Sequence, residues 1–353
     1  MRALALVLVA TTACGGGSKP AAEAPKQAAV DERTAEKDAK GLLQEVYQTI
    51  QQADTDGLMT LFAVPLVVYG PRKSDAHANR ADALVALKAV VDPKKKKPSV
   101  KSDQLTIVAS PGGHSAWAFD VVEVAGQTMT VTAVLSNADD VWQVSVAALA
   151  ATPTMKTVHA ELKKDAIVPP GMVGGVAKID PKAKLAVDKL TRGLTAPAVW
   201  GDELDARTDA VVIGPGAGDI TTGKAAIKKL FEKRIDAHVR ATAAGQVTAS
   251  VTADGELAWV TVPVVRFEDD TDPLPLRVFA VYEKAGGDWK MIALQESTAI
   301  DEPGGGAQFK TVVAPALPKP PEAAPAPAAV DEAKPVKKKK KKHKKPKPVD
   351  DDR

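Results

Sequence analysis

The sequence predicts an α+β protein with two tandem cone-shaped domains, each with helices packed on a curved antiparallel sheet, and with disordered termini. Three observations predict it. Apolar residues at helical spacing open each half. Runs that alternate between apolar and polar, separated by turn residues, follow them. The two halves then repeat one another at a near-constant offset.

In the first half, Leu42, Val46 and Ile50 share one helix face at i, i+4 and i+8. Asp54 or Asp56 is placed to cap a short helix holding Leu58, Leu61 and Phe62. Val67-Val68-Tyr69-Gly70-Pro71 then reads as a strand and turn before a helical pattern over 81–91. Strands are expected at about 103–109, 115–124, 127–136 and 140–149, with turns at Ala125-Gly126 and Ala138-Asp139. The second half places helices at about 182–194 and 223–236. Its strands are expected at about 245–253, 256–267, 274–284 and 288–299. Val211-Val212-Ile213-Gly214-Pro215 answers the first Gly-Pro segment, Trp259 answers Trp117 and Trp289 answers Trp142, at offsets of 144, 142 and 147 residues. One amphipathic helix layer on such a sheet makes an α+β cone.

The second half, about 182–301, resembles a SnoaL-like domain of the ketosteroid-isomerase and nuclear-transport-factor superfamily. The segments DAVVIGPGAGDITTGKAAIKKLF, DGELAWVTVPV and GDWKMIALQES carry the resemblance. The first half, about 36–151, is similar in pattern and more divergent. The resemblance implies the fold more than a function, because such domains serve as isomerases, cyclases, binding modules and catalytically silent subunits.

The 353 residues carry 47 Lys and Arg against 44 Asp and Glu, a formal charge of +3. Residues 331–353 contribute +6 and the rest −3, so a mildly acidic body carries a basic tail. This distribution does not indicate a nucleic-acid-binding fold. No run of 18 apolar residues is present to form a transmembrane helix. A single cysteine excludes an intrachain disulfide framework and a Cys-rich metal site.

That cysteine is Cys14. It follows Met1-Arg2, the apolar run Ala3 to Ala10, and Thr11-Thr12-Ala13. The arrangement resembles a bacterial lipobox, with Ala13 matching the pattern and Thr11 standing where Leu is usual. The resemblance implies cleavage before Cys14 and acylation of its thiol. At about 0.8 kcal/mol per buried CH₂, two or more acyl chains anchor stably where one does not.

The expected organisation is therefore a signal peptide (1–13), a tether (14–35), the first cone (36–151), a linker (152–181) and the second cone (182–301). A Pro/Ala-rich linker (302–336) and a Lys-rich tail (337–353) follow. Lys337 to Lys347 holds nine lysines, which suit an anionic lipid or envelope polymer. No aromatic residues are interleaved for base stacking, so nucleic acid is not indicated as a partner. Lys94 to Lys97, between Pro93 and Pro98, is expected as a solvated loop.

Candidate chemistry is sparse. Gly218 to Lys224 has phosphate-loop spacing, but Ala225 stands where a metal-binding hydroxyl belongs and an antiparallel meander follows. A polar turn with Thr222 capping a helix is expected instead. His77, His114, His159, His238 and His343 show no metal-ligand spacing, and neither a metal nor a cofactor is expected. Cone-fold isomerases use a buried carboxylate and a hydrogen-bond donor. Asp120, Glu123 and Glu296 are the strand acids that could serve, and Tyr69 is a donor. Tyr69, Trp117, Asp120, Trp259 and Glu296 are the expected cone-lining residues.

These features predict a non-enzymatic, lipid-anchored envelope protein, membrane-bound through Cys14, that offers two cones for ligand or partner binding. A small-molecule-binding or isomerase-type enzyme, with a small apolar ligand in one cone, is the alternative. A cytosolic nucleic-acid-associated protein would follow only if the leader were not a signal peptide.

Overall fold

Asp31 caps the first described helix, its carboxylate accepting from the Thr34 amide at 3.2 Å. In the computed structural model the described residues are 31–90, 98–171, 179–204, 209–269 and 271–316. All fall within one compact unit that runs to Leu317. The leader, Cys14, Lys94 to Lys97 and the Lys-rich tail lie outside the described residues.

Helix α1 (Glu32–Gln52) buries Ala35, Ala39, Leu42, Leu43 and Val46 on one face and ends at Ala53 in the left-handed conformation (φ 59°). Asp54, rather than Asp56, caps α2 (Thr55–Leu61), accepting from the Gly57 amide at 2.9 Å. Then come β1 (Phe62–Tyr69), β2 (Ala76–His77), α3 (Arg80–Val90), β3 (Val100–Ser102) and β4 (Thr106–Ala109). Three long strands complete the half: β5 (Ser115–Val124), β6 (Gln127–Ala138) and β7 (Val141–Ala151). Between the halves lie α4 (Met155–Leu162) and β8 (Ile167–Val168). The second half comprises α5 (Lys184–Thr195), α6 (Pro197–Leu204), β9 (Val211–Ile213), β10 (Ile220–Thr222) and α7 (Lys224–Asp236). It continues with β11 (Arg240–Ala243), β12 (Thr248–Val251), β13 (Leu257–Phe267), β14 (Leu274–Ala285), β15 (Asp288–Ser297) and β16 (Ala299–Ile300).

The two large sheets have the same strand order. The first runs β2-β1-β7-β6-β5-β3, with β4 also paired to β5. The second runs β10-β9-β15-β14-β13-β11, with β12 also paired to β13. One pairing in each is parallel, β1 with β7 and β9 with β15, because these partners are separated by almost the whole half. The register repeats residue by residue. Trp117 faces Val134 as Trp259 faces Val281. Val67 faces Val146 as Val211 faces Ala293. Even the bulge recurs, between Val134 and Leu135 and again between Val281 and Tyr282. The repeated glycines have a local reason. A Cβ at Gly70 would stand 2.4 Å from the Asp75 Cβ, and one at Gly214 would stand 2.8 Å from the Asp219 Cβ.

Strand alternation sends one face of each sheet to its helices and the other to the opposite sheet. Ala116 and Ala118 join Leu42, Leu43 and Val46 in a helix–sheet core. Trp117 and Phe119 join Trp259, Phe279 and Val281 in a core between the sheets. The result is four layers: helices, sheet, sheet, helices. Trp259 and Phe279 stack at 6.2 Å, with Tyr69 against Trp259 edge-on at 6.0 Å.

Arg277 lies wholly buried in the middle layer. Its Nη1 donates to the Gly70 carbonyl at 3.0 Å and the Gly171 carbonyl at 3.3 Å, and its Nη2 to the Leu149 carbonyl at 2.9 Å. Burial pushes its pKa down to about 10, which leaves it protonated at neutral pH. The turns before β5 and β13 also meet. Ser115 Oγ donates to Asp254 Oδ2 at 2.6 Å, and the Gly112 amide donates to Glu256 Oε2 at 2.7 Å.

The segment expected as a linker is partly structured. Thr154 caps α4, and β8 pairs with β16 beyond the end of the second sheet.

Candidate functional site in the first cone

Matching register allows the two concave interiors to be compared position by position. Where the second sheet has Val260, Met291 and Leu294, the first has Ala118, Val144 and Ala147. The smaller Val144 and Ala147 line a cavity of about 220 Å³ between the first sheet and α1. Its walls include Leu43, Val46, Ile50, Val122, Ala133 and Ala147, with Arg72, Asp75 and His77 among the lining residues. For scale, an engineered apolar cavity of about 150 Å³ stays dry and takes up benzene. In the second interior Tyr282, Met291 and Leu294 are all buried, and an open cavity of about 280 Å³ lies beside Val212, Gly214, Asp219 and Arg266, the register equivalents of Val68, Gly70, Asp75 and Val124.

Besides Arg72, Asp75 and His77 in its lining, the first interior holds a buried polar pair. Asp120 stands on β5, 1% exposed, where the second sheet has Val262. Its Oδ1 accepts from the Gln104 amide at 3.1 Å, and its Oδ2 has no hydrogen-bond partner. The Tyr47 hydroxyl on α1 is also buried without a completed hydrogen bond. Burial first, then the Asp120 charge beside it, raises the Tyr47 pKa and keeps the phenol protonated. Tyr47 lines the cavity; Asp120 lies behind it.

Glu296 occupies a different environment. It accepts from Arg234 in bidentate fashion (3.0 and 2.8 Å) and from Arg266 at 2.8 Å. Burial pushes its pKa up, but the two guanidinium charges and their hydrogen bonds outweigh that and hold it low. Arg234 and Arg266 also border an open cavity of about 280 Å³ near Gly214, Pro215 and Lys233.

The expected cone-lining residues therefore separate. Asp120 and Glu296 lie on the concave faces, in different cones. Tyr69, Trp117 and Trp259 do not line the cones; they lie between the sheets, because strand alternation turns them to the opposite face. Glu123, on that same outward set, pairs with Lys101 at 3.4 Å. Thr222 does not cap α7: Gly223 holds that position, with φ 79° and no side-chain cap. His238 follows α7 and pairs through Nδ1 with Asp269. Among the described residues no group of His, Cys, Asp and Glu is placed to hold a metal ion. No described helix is long and apolar enough to cross a membrane.

The sequence reading missed Tyr47, Arg234, Arg266 and Arg277. Two carried a signal. Tyr47 is four residues after Leu43 on the buried face of α1, and Arg266 continues the inward set Ala258, Val260, Val262 and Val264.

Residues 198–301 match the family model described as a SnoaL-like domain. The match to the SnoaL-like family model thus falls in the second half. Solved structures similar to the chain include an NTF2-like protein of unknown function from Pseudomonas putida KT2440. It is 17% identical, over 35% of this chain and 92% of that one, with a TM-score of 0.33. Another is a domain with a cystatin-like fold from Nostoc punctiforme, 14% identical over 46% of this chain and 97% of that one, TM-score 0.32. A third is an NTF-2 like protein from Silicibacter pomeroyi DSS-3, 15% identical over 33% and 98%, TM-score 0.28. No curated protein matches. The matched residues lie in the half whose sheet carries the larger Met291 and Leu294, whereas the other half repeats its register with Val144 and Ala147.

Proposed function

We propose that the first half is a divergent SnoaL-like domain that binds a small, largely apolar molecule, and that the SnoaL-like second half is its rigid support. One observation carries the reading: an apolar cavity of about 220 Å³ with a buried phenol in its wall and an unpaired carboxylate oxygen behind it. The Tyr47 hydroxyl and Asp120 Oδ2 are both without a hydrogen-bond partner, and the phenol can donate to or accept from a ligand hydroxyl or amine. An apolar site with few polar groups binds and orients. Asp120 is set back from the cavity, where it supports Tyr47 rather than meeting a reacting carbon, and this favours binding over catalysis.

The test is calorimetric titration of the full chain with 2-naphthol and with naphthalene. The expected result is saturable binding of both, tighter for 2-naphthol, with Tyr47→Phe removing the difference. Equal affinities for the two compounds in the unaltered chain would refute the polar role of Tyr47.

A second reading, isomerase-type proton transfer by Asp120, is favoured by the unpaired Oδ2. It predicts deuterium uptake at the α-carbon of a β,γ-unsaturated ketone in D₂O, lost in Asp120→Asn. Absence of uptake in the unaltered chain removes it.

For location, the proposal is a lipoprotein anchored through Cys14 to an envelope membrane, with the tail held to anionic lipid or polymer. Labelled palmitate should enter the unaltered chain and not Cys14→Ala. Unchanged membrane fractionation of that variant would refute the anchor. Deleting 331–353 should weaken binding to anionic vesicles and flatten its salt dependence.

A further inference from the structure

The layer between the sheets is pseudo-symmetric in register but not in packing. On one side Val108, Glu283 and Ile292 are buried. The register-equivalent residues on the other side are Ser250, Ser136 and Ser145, all half-buried. Three small hydroxyl residues thus stand where three larger side chains close the mate. Trp117 on the closed side is fully buried, whereas its equivalent Trp259 is 7% exposed.

The open side is a crevice of about 760 Å³ lined by both halves. Its volume lies within the roughly 300–1,000 Å³ of small-molecule sites. Val64, 73% exposed, and Ile179, 43% exposed, stand at its rim. Asp180 is the only charged residue among the described lining residues, and its carboxylate is engaged by the Lys182 amide at 2.9 Å. Ser136 and Ser145 hydrogen-bond to each other.

Tyr69 lines this crevice and is fully buried, yet its hydroxyl has no hydrogen-bond partner. The Thr248 hydroxyl is near enough to act on it without completing a bond within normal limits. Burial raises the Tyr69 pKa, against the lowering effect of the Arg277 charge, so the phenol remains a donor at neutral pH. An unpaired phenol in a mostly aliphatic cleft, whose one charged residue among the described lining, Asp180, is already engaged, is complementary to a neutral ligand that brings an acceptor.

We propose that this crevice is a second binding site, distinct from the first cone, for a neutral apolar molecule whose carbonyl or ether oxygen accepts the Tyr69 hydroxyl. The serines at 136, 145 and 250 make the room, and Trp259 forms part of the wall.

The test uses the full chain and Nile red, a neutral polycyclic dye with a ring carbonyl, read by the blue shift and rise of its emission. Saturable binding is expected. Ser145→Ile with Ser250→Val grafts the closed side onto the open one and should weaken binding at least tenfold. Tyr69→Phe should weaken it about threefold to tenfold, the size of one hydrogen bond. Val64→Glu, at an exposed rim position, should weaken it at least fivefold without affecting folding. Ala147→Leu, in the first cone, should leave it unchanged. No saturable binding, or affinity within twofold of the unaltered chain in both the graft and Val64→Glu, overturns the proposal. So does loss of the signal in Ala147→Leu, which would place the dye in the cone.

Discussion

Leu149 and Glu296 occupy the same register position in the two sheets, Leu149 opposite Val131 and Glu296 opposite Val278. Val124 and Arg266 are equivalent in the same way. One cone is therefore apolar where the other holds an ion cluster, on a shared backbone plan.

The cluster should be costly to break and easy to replace. Glu296→Ala leaves Arg234 and Arg266 buried without their carboxylate and should lower stability by about 3–5 kcal/mol in urea unfolding. The triple change Arg234→Met, Arg266→Val and Glu296→Leu should lie within about 2 kcal/mol of the unaltered chain, or be more stable. A larger loss in the triple variant than in Glu296→Ala would show that the cluster is not self-contained.

Acid should act through the same carboxylate. The native pKa of Glu296 lies below its ordinary 4.5, so its contribution is fully present above that value. It is lost as pH falls through the native pKa, where the folded cluster must take up a proton. Glu296→Gln should flatten the acid limb of stability below about pH 4.5. Parallel limbs in the two proteins would contradict the assignment.

Arg277 should hold the halves together. Its three carbonyl partners come from Gly70, Leu149 and Gly171, all outside its own sheet. Arg277→Met keeps much of the volume and leaves those carbonyls unpaired in the middle layer, at roughly 1–3 kcal/mol for each one left without water. A fall in melting temperature is expected, and an unchanged one would mean that water replaces the guanidinium.

The sheet of the second cone should respond to truncation at Leu294 as a core. Leu294→Ala removes a fully buried side chain and should cost about 2–5 kcal/mol. Its first-half equivalent is already Ala147, so Ala147→Leu should be neutral or stabilising. Destabilisation by both changes would mean that the first cavity is not free space.

Much of the fold was legible. Repeated Gly-Pro turns and tryptophans located both halves, and Leu42 and Val46 fall on the buried face of α1 as their spacing requires. The facing of the strands was not legible, because β13 is buried along Leu257 to Val265 and both of its sides are apolar. Trp117 and Trp259 therefore carried no sign of which face they take. Helix α4 and strand β8 escaped because tertiary partners hold them: Ile167 pairs with Ile300, and the Gly306 amide donates to the Asp165 carbonyl. Asp120 was legible as a strand acid, but Tyr47 was not connected to it, since that pairing spans two elements.

The binding claim for the first cone is tested most directly by titrating 2-naphthol into Ala147→Leu beside the unaltered chain. The added side chain is the one the second cone already carries at the equivalent position, Leu294. At least tenfold weaker binding with an undiminished melting temperature is predicted. Unchanged affinity in Ala147→Leu, or no saturable binding by the unaltered chain, would contradict it.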